Sequence, residues 1–266
     1  MMHQERPLPN NLNAHLSEIR RCHAIDLGVI SLPEIDLLLQ KIVPLRLNNQ
    51  IEDTLIFHSY LPSLALGARK LNPADLLKPL ASFEDQGIYL HKSVRGGGIT
   101  YHWPGQLVGY PVFKLRPDEQ NISKFMFQLE EVGLRVLSDL GVKAQRRRDN
   151  VAQIGLWIDN FKIASMGIHV SRWVTSYGFA LNLGGDPTPA DHIRPCGLQG
   201  VKLITVADMT GQEPSHDDVK KIIVKHISSV FRREVINQKN DFYANQLSST
   251  LNKGNVTKWI YKTRYE

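Results

Sequence analysis

The segment RGGGITYHWPGQLVGYPV, Arg95 to Val112, constrains this chain more than any other stretch. It holds three consecutive glycines, an arginine, a histidine, a Pro-Gly turn and a tyrosine. Glycine inside a strand costs stability and leaves no side chain to bury, so an ordinary packing strand has no need of this composition. Three glycines in a row point to backbone that bends sharply or lies close to another group. Arg95 and His102 flank them with charge and hydrogen-bonding atoms.

The patterns around this segment predict an α+β fold. Cys22 to Ile30 reads as a strand. Ser31-Leu32-Pro33-Glu34 is a helix start with a capping box and a first-turn proline, and Ile35, Leu38, Leu39 and Ile42 then share one face. Asp53 to Tyr60 is a strand, and Asn72-Pro73 starts a short helix expected to run through Leu80. Ile88 to Val94 leads into the glycines as a strand and Leu107 to Leu115 leads out. Ile122, Phe125, Leu129, Val132, Val136 and Leu140 mark a long amphipathic helix stopped by Gly141. Strands are expected at Val151–Ile158 and Phe161–Val170, joined by a turn at Asp159-Asn160, and at Thr175–Leu183. Ser215 with Asp218 opens a last long helix with Val219, Ile222, Ile223, Ile227, Val230 and Phe231 on its apolar side. Strands bunch between helices, which argues for a mixed, largely antiparallel sheet flanked by helices.

The 266 residues suffice for one large domain. Residues 1–20 read as a polar lead-in, 21–237 as a single domain, and 238–266 as a polar tail in which Trp259, Ile260 and Tyr261 could anchor to the core or to a partner. With 42% hydrophobic and 22% charged residues, the composition is that of an ordinary globular protein. No apolar run is long enough to span a bilayer, and the N-terminus lacks the apolar core of a secretory signal. Two cysteines make a structural disulfide a weak expectation and a reducing compartment, the cytoplasm or an organelle of a eukaryote, the simpler one. No Cys/His spacing suggests zinc. The net charge of +6 suits an acidic partner.

Two residues could carry chemistry. Cys196, in HIRPCGLQG, stands between a proline and a glycine in a tight irregular loop. A nucleophilic thiol and a small buried cysteine are both compatible with that setting. Cys22 sits in an apolar strand pattern and reads as core. Lys162, in FKIASMGIHVS, is placed by strict alternation on one face with Ala164 and Met166, opposite Ile163 and Ser165. A strand lysine usually faces solvent. A cysteine attacks as the thiolate, and a neighbouring amine can take up and return its proton. A Cys/Lys pair is thus chemically sufficient for acyl transfer through a thioester. In Tyr177-Gly178-Phe179-Ala180-Leu181-Asn182 the small residues leave room for a slim apolar ligand or for a closely packed neighbouring strand.

Four ordered segments, RGGGITYHWPGQLVGYP, KIASMG, GFALN and RPCG, resemble the lipoyl(octanoyl) transferases, as do DLGVISLPEIDLLLQ and LIFHSYLPSLALGARK upstream. The resemblance covers roughly Cys22 to Met209. It implies the fold of biotin and lipoate protein ligases and the transfer of an octanoyl group, without a cofactor or metal. The donor it implies is octanoyl-acyl carrier protein. The acceptors are lysines of lipoyl domains, in 2-oxoacid dehydrogenase complexes and the glycine cleavage H protein. It places the acyl-thioester cysteine on Cys196 and its partnering lysine on Lys162. Substrate-binding positions fall on Arg95, Gly96, Gly97, Gly98, Ile99, Thr100, Tyr101 and His102, on Ser165, Met166 and Gly167, and on Gly178, Phe179 and Ala180, with His58 and Tyr110 in support. Three positions depart from the family pattern: Gly98 in place of an acidic or polar residue, Trp103 in place of glycine, and Tyr177 in place of histidine. Trp103 is expected to cap the acyl pocket.

Two rival readings remain at this point. An ATP-dependent lipoate or biotin ligase of the same fold would use Lys162 beside a phosphate and would not need Cys196. A basic nucleic-acid-binding module rests only on the charge and on Arg146-Arg147-Arg148, and such a run is more often a solvated loop.

Overall fold

The computed structural model describes residues 19–147 and 150–237. In chain order the elements are β1 (Arg20–Ile30), α1 (Leu32–Leu47), β2 (Asp53–Tyr60), β3 (Ser63–Leu66), α2 (Ala81–Glu84), β4 (Tyr89–Lys92), β5 (Ile99–His102), β6 (Gln106–Val112) and α3 (Ile122–Asp139). There follow β7 (Gln145–Arg146), β8 (Gly155–Ile158), β9 (Phe161–Ser171), β10 (Val174–Asn182), β11 (Lys202–Leu203), α4 (Val206–Thr210), α5 (His216–Phe231) and β12 (Arg233–Asn237). The polar lead-in except its last two residues, the tail from Gln238 with Trp259, Ile260 and Tyr261, and Arg148 lie outside the described residues.

A large sheet runs in the order β12-β1-β2-β6-β10-β9-β8-β7, with β11 beside β9. β1 is parallel to β12 and β2, and β11 to β9; the other pairs are antiparallel. A small sheet, β4-β3-β5, stands apart from it. The predicted α+β class with a mixed, largely antiparallel sheet is what forms.

The apolar stripes decide which helix covers which face. Phe125, Leu129, Val132 and Val136 of α3 and Val219, Ile223, Ile227 and Phe231 of α5 are buried together against one face of the large sheet. Ile35, Leu38, Leu39 and Ile42 of α1 pack on another cluster with Ile56, Val108, Val112 and Ala180. The Ser31 hydroxyl accepts the Glu34 N–H and the Glu34 carboxylate accepts the Ser31 N–H, so the capping box is real. Helix α5 starts after Ser215, whose side chain makes no capping hydrogen bond.

Some local expectations change. After Asn72 there is only a 3-10 turn over Pro73–Asp75, and the next helix is α2. Pro79 interrupts the intervening stretch, and a proline disfavours helix at the residue before it. Strand β8 starts four residues later than expected, after a 3-10 turn over Val151–Gln153. Strands β3, β5, β7, β11 and β12 have no counterpart among the expected ones. β3 and β5 are four residues each, too short for alternation to stand out.

The Arg95–Val112 segment crosses between the two sheets. β5 belongs to the small sheet, and a turn at Pro104-Gly105, closed by the Gln106 N–H on the Trp103 carbonyl, delivers the chain to β6 in the large one. That crossing wraps one side of a cavity.

Candidate active site

Strand β9 brings Lys162 to the cavity through an irregularity. Trp157 pairs with Lys162, but Leu156 pairs with Ala164, so Ile163 is an extra residue on β9. Such a bulge resets which side chains share a face. Strict alternation would put Lys162 and Ser165 on opposite faces; here both line the same cavity, while Ile163 and Ala164 join the core under α3. Lys162 is 3% exposed, so it is not the solvent-facing lysine that a strand position usually implies. Its ammonium lies 5.1 Å from the centre of the Trp157 ring. Gly155 makes room for it: a Cβ there would come within 2.7 Å of Lys162 Cε.

The cavity is narrow, about 40 Å³. Arg95, Gly96, Gly97, Ile99, Thr100 and His102 form one wall, and Lys162, Ser165, Met166, Gly167, Gly178, Phe179 and Ala180 face them. Tyr110, Val108 and Pro195 complete the lining. Among the described residues sixteen line it, and fourteen of these are site positions that the sequence predicts.

The glycine loop is held by its carbonyls. The amides of Ala68, Arg69 and Gly67 donate to the carbonyls of Arg95, Gly97 and Gly98, and the Gly96 amide donates to Ile168 of β9. Gly97 has φ +91°, a region that L side chains rarely adopt. The Arg95 guanidinium donates to the Gly96 and Ala65 carbonyls, which fixes its plane at the cavity wall. Gly178 serves close strand packing first: a Cβ there would come within 2.2 Å of the Gly109 carbonyl oxygen on β6.

Behind the wall runs a chain of buried polar groups. The Asn182 amide donates to the Lys162 carbonyl at 3.1 Å and to that of Ile204 at 2.9 Å. Asn182 Oδ1 accepts from Gln106 Nε2, and Gln106 Oε1 therefore faces His102 Nδ1 at 2.7 Å. The orientation of the two amides assigns the proton of His102 to Nδ1. Burial, then the charge of Arg95, pushes the His102 pKa down to about 3, so its ring is neutral near pH 7. Gln106 and Asn182 lay inside the quoted motifs but were not singled out. Their signal was an amide at a strand position otherwise surrounded by apolar residues.

Cys196 lies in a 3-10 turn, Pro195–Gly197, held by the Gly197 amide on Arg194 O and the Leu198 amide on Pro195 O. Pro195 lines the cavity beside Lys162. The Arg69 guanidinium, paired with Asp75 at 2.9 Å, lies against this turn: a Cβ at Gly197 would be 2.6 Å from Arg69 Nη2. Arg69 is a further residue that the sequence reading passed over. Cys22 is buried in the core, and burial raises its thiol pKa well above the ordinary range.

Five expected positions stand back from the cavity. Gly98 and Tyr101 are not among its lining residues; Gly98 anchors the loop through its carbonyl, and Tyr101 stacks on Trp103 at 5.4 Å. His58 lies behind Tyr110, edge-on at 4.7 Å, with no hydrogen-bond partner for either ring nitrogen among the described residues. Trp103 does not cap the pocket. It is 1% exposed, packs in the core of the small sheet and donates its indole N–H to Gly184 O at 2.8 Å. Its ring lies against Gly185, where a Cβ would come within 3.0 Å of it. Tyr177 lines a different cleft.

The arginine run offers little to nucleic acid. Arg146 is ion-paired with Glu130 and Glu131 and lies over the Phe127 ring, and Arg147 bonds Asn160. No group of three or more His, Cys, Asp or Glu that could hold a metal ion occurs among the described residues, and no helix among them is long and apolar enough to cross a membrane.

The fold is shared with solved lipoate ligases. A bipartite lipoate protein ligase from Thermoplasma acidophilum superposes with a TM-score of 0.65 at 16% identity, over 88% of this chain and 92% of that one. A lipoate-protein ligase A bound with ATP gives 0.65 at 17% identity, over 86% and 94%. The octanoyltransferase of Dictyoglomus turgidum is 38% identical over 182 residues, 68% of this chain and 75% of its own length. That of Desulforamulus reducens is 32% identical over 215 residues, 80% and 93%. The lipoyl protein ligase A/B catalytic domain matches residues 35–228, and the chain belongs to that family.

Proposed function

We infer that this protein is an octanoyltransferase of protein lipoylation. It takes an octanoyl group from octanoyl-acyl carrier protein and delivers it to a lysine of a lipoyl domain through a thioester on Cys196. The observation that carries the reading is the buried Lys162 on the wall of a narrow cavity that also meets the Cys196 turn at Pro195. The names of the relatives at 32–38% identity support the same reaction.

In this reading the Lys162 amine takes the Cys196 proton, and the thiolate attacks the carbonyl carbon of the donor thioester. The donor thiolate leaves and takes that proton back from Lys162. The acceptor lysine amine then attacks the acyl-cysteine, the Cys196 thiolate departs, and the proton lost by the new amide nitrogen returns through Lys162. Asn182 and the Ile204 amide pin the Lys162 backbone, and burial against Trp157 confines its side chain. Residues 21–237 act as one catalytic domain, in the cytoplasm or an organelle. The acceptors are the lipoyl domains of 2-oxoacid dehydrogenases and the glycine cleavage H protein.

The test is transfer to a purified lipoyl domain without ATP. The wild type should octanoylate it from octanoyl-acyl carrier protein, and Cys196→Ser and Cys196→Ala should not, while Cys22→Ser should. Transfer that persists in both Cys196 variants and requires free acid with ATP would establish the ligase reading.

A further inference from the structure

A second, larger space lies next to the cavity on the same side of the sheet. It is a cleft of about 650 Å³ between α1 and the segment after β4, lined among others by Asp36, Leu37, Val43, Val94 and Tyr177. Neighbouring residues fall on opposite sides of the division: Val94 lines the cleft and Arg95 the cavity, Tyr177 the cleft and Gly178 the cavity. Between them stand two rings. Tyr110 faces the cavity and Tyr177 the cleft, in edge-on contact at 5.4 Å.

Tyr177 is held there against its backbone preference. Its φ is +58° within β10, an uncommon conformation for a bulky residue, and one that persists only where the surroundings over-determine it. Its hydroxyl donates to Asp36 Oδ1 at 3.0 Å, and the other Asp36 oxygen bonds His91 Nε2 at 2.8 Å. Burial and then the Asp36 carboxylate keep the phenol protonated and donating. The left-handed residue breaks the strand's alternation, so Ser176 and Tyr177 both face the cleft and Gly178 faces the cavity.

We propose that Tyr177 is a specificity-determining residue: from the cleft side its ring backs the Tyr110 ring that ends the acyl cavity, holds that ring in place and so sets the longest chain accepted. The cleft behind it, with Leu37, Val43 and Val94 among its walls, is the apolar space a longer saturated chain would enter. The proposal rests on the acyl-transfer reading above. It moves to Tyr177 the pocket-limiting role that the sequence suggested for Trp103.

The experiment measures octanoyl, decanoyl and dodecanoyl transfer from the matching acyl carrier proteins, each variant normalised to its own octanoyl rate. Tyr177→Gly suits the positive φ and removes the ring. Its decanoyl-to-octanoyl ratio should rise on the order of tenfold, about what burying two methylenes contributes, and its dodecanoyl-to-octanoyl ratio further. Tyr177→His keeps a ring but shortens it, and should fall between Gly and wild type. Tyr177→Phe loses the Asp36 bond and keeps the bulk, so its profile should match wild type. If Tyr177→Gly does not fold, the His variant decides. Unchanged ratios in the variants that fold, or a Phe variant that shifts as far as Gly, would overturn the proposal. A wild type that transfers none of the three chains would instead overturn the acyl-transfer reading itself.

Discussion

Two buried polar networks lie at different places in this molecule, and they differ in what they leave open. At the edge where β1, β2 and β12 meet, Asp53 accepts from Arg20 at 3.0 Å, Arg46 at 2.6 Å and Arg233 at 2.8 Å, with the Lys114 amide as a fourth donor. Glu119 closes the knot by pairing with Arg233 and Arg20. Each carboxylate there is spent on the protein's own cations, and none of the knot's charged side chains lines either cavity described above. The second network runs from His102 through Gln106 and Asn182 to the backbone of Lys162, and its two ends line a cavity. It consists of neutral groups and ends on the backbone carbonyl of one buried lysine. Burial of charge is therefore no mark of a functional site. Burial beside space, with neutral groups doing the positioning, is the better sign.

The comparison breaks or holds on the consequences of mutation. Lys162→Met keeps much of the volume and removes the amine, so transfer should fall by roughly 10²–10⁴-fold, the usual weight of positioned proton transfer. The thermal midpoint should move little. Thiol alkylation at Cys196 should need a higher pH, since a neighbouring ammonium favours the thiolate. If Lys162→Met unfolds the protein and leaves the specific activity of the remaining folded fraction intact, the two networks are of one kind.

Asp53→Ala should show the reverse. It removes the carboxylate shared by three arginines, leaves Glu119 to Arg20 and Arg233, and strips the buried Arg46 of its ion pair; breaking a buried ion pair costs about 3–5 kcal/mol. Urea unfolding reads that loss, and kcat/KM per folded molecule should stay near wild type. A large drop in kcat/KM with unchanged stability would contradict the structural role.

A smaller, pH-dependent effect belongs to His58, which lies outside both networks and has no hydrogen-bond partner among the described residues. Burial, then the neighbouring His102, holds the His58 pKa down to about 3. The unfolded chain binds the proton near pH 6.5 and the native state does not, so the stability contributed is full above about 6.5 and is lost as pH falls toward 3. At pH 5 that is about 2 kcal/mol for His58 alone, at 1.36 kcal/mol per pH unit. His58→Phe should remove that part of the acid sensitivity between pH 7.5 and 5 in urea titrations. The same slope in both proteins would show that His58 is not the neutral buried ring described here.

Much of this was legible beforehand. Long helices announce themselves by stripes that bury one face, as Ile35 to Ile42 do, and the Ser31 box fixes where α1 begins. The glycine loop stood out because its composition suits no packed strand. What sequence could not give was register. The extra residue at Ile163 changes which face Lys162 shares, and nothing in FKIASMG signals it, because pairing with β8 creates it. Tyr177 and Trp103 each stood at a departure from the family pattern, yet the chain carries Trp103 into the small sheet's core and Tyr177 to the cleft behind Tyr110. Their roles depend on the Gly184 carbonyl and small-sheet core that hold Trp103 and on the left-handed backbone of Tyr177, and neither follows from residue type.

The central claim is that the Lys162 cavity serves a covalent acyl transfer at Cys196. Intact-mass measurement of the purified protein after incubation with octanoyl-acyl carrier protein alone, followed by peptide mapping, tests it directly. The account predicts one octanoyl group, on Cys196, removed by hydroxylamine and discharged onto a lipoyl domain, and a much slower appearance of that adduct in Lys162→Met. An unmodified protein that nonetheless transfers octanoyl, or an adduct on any residue other than Cys196, would contradict it.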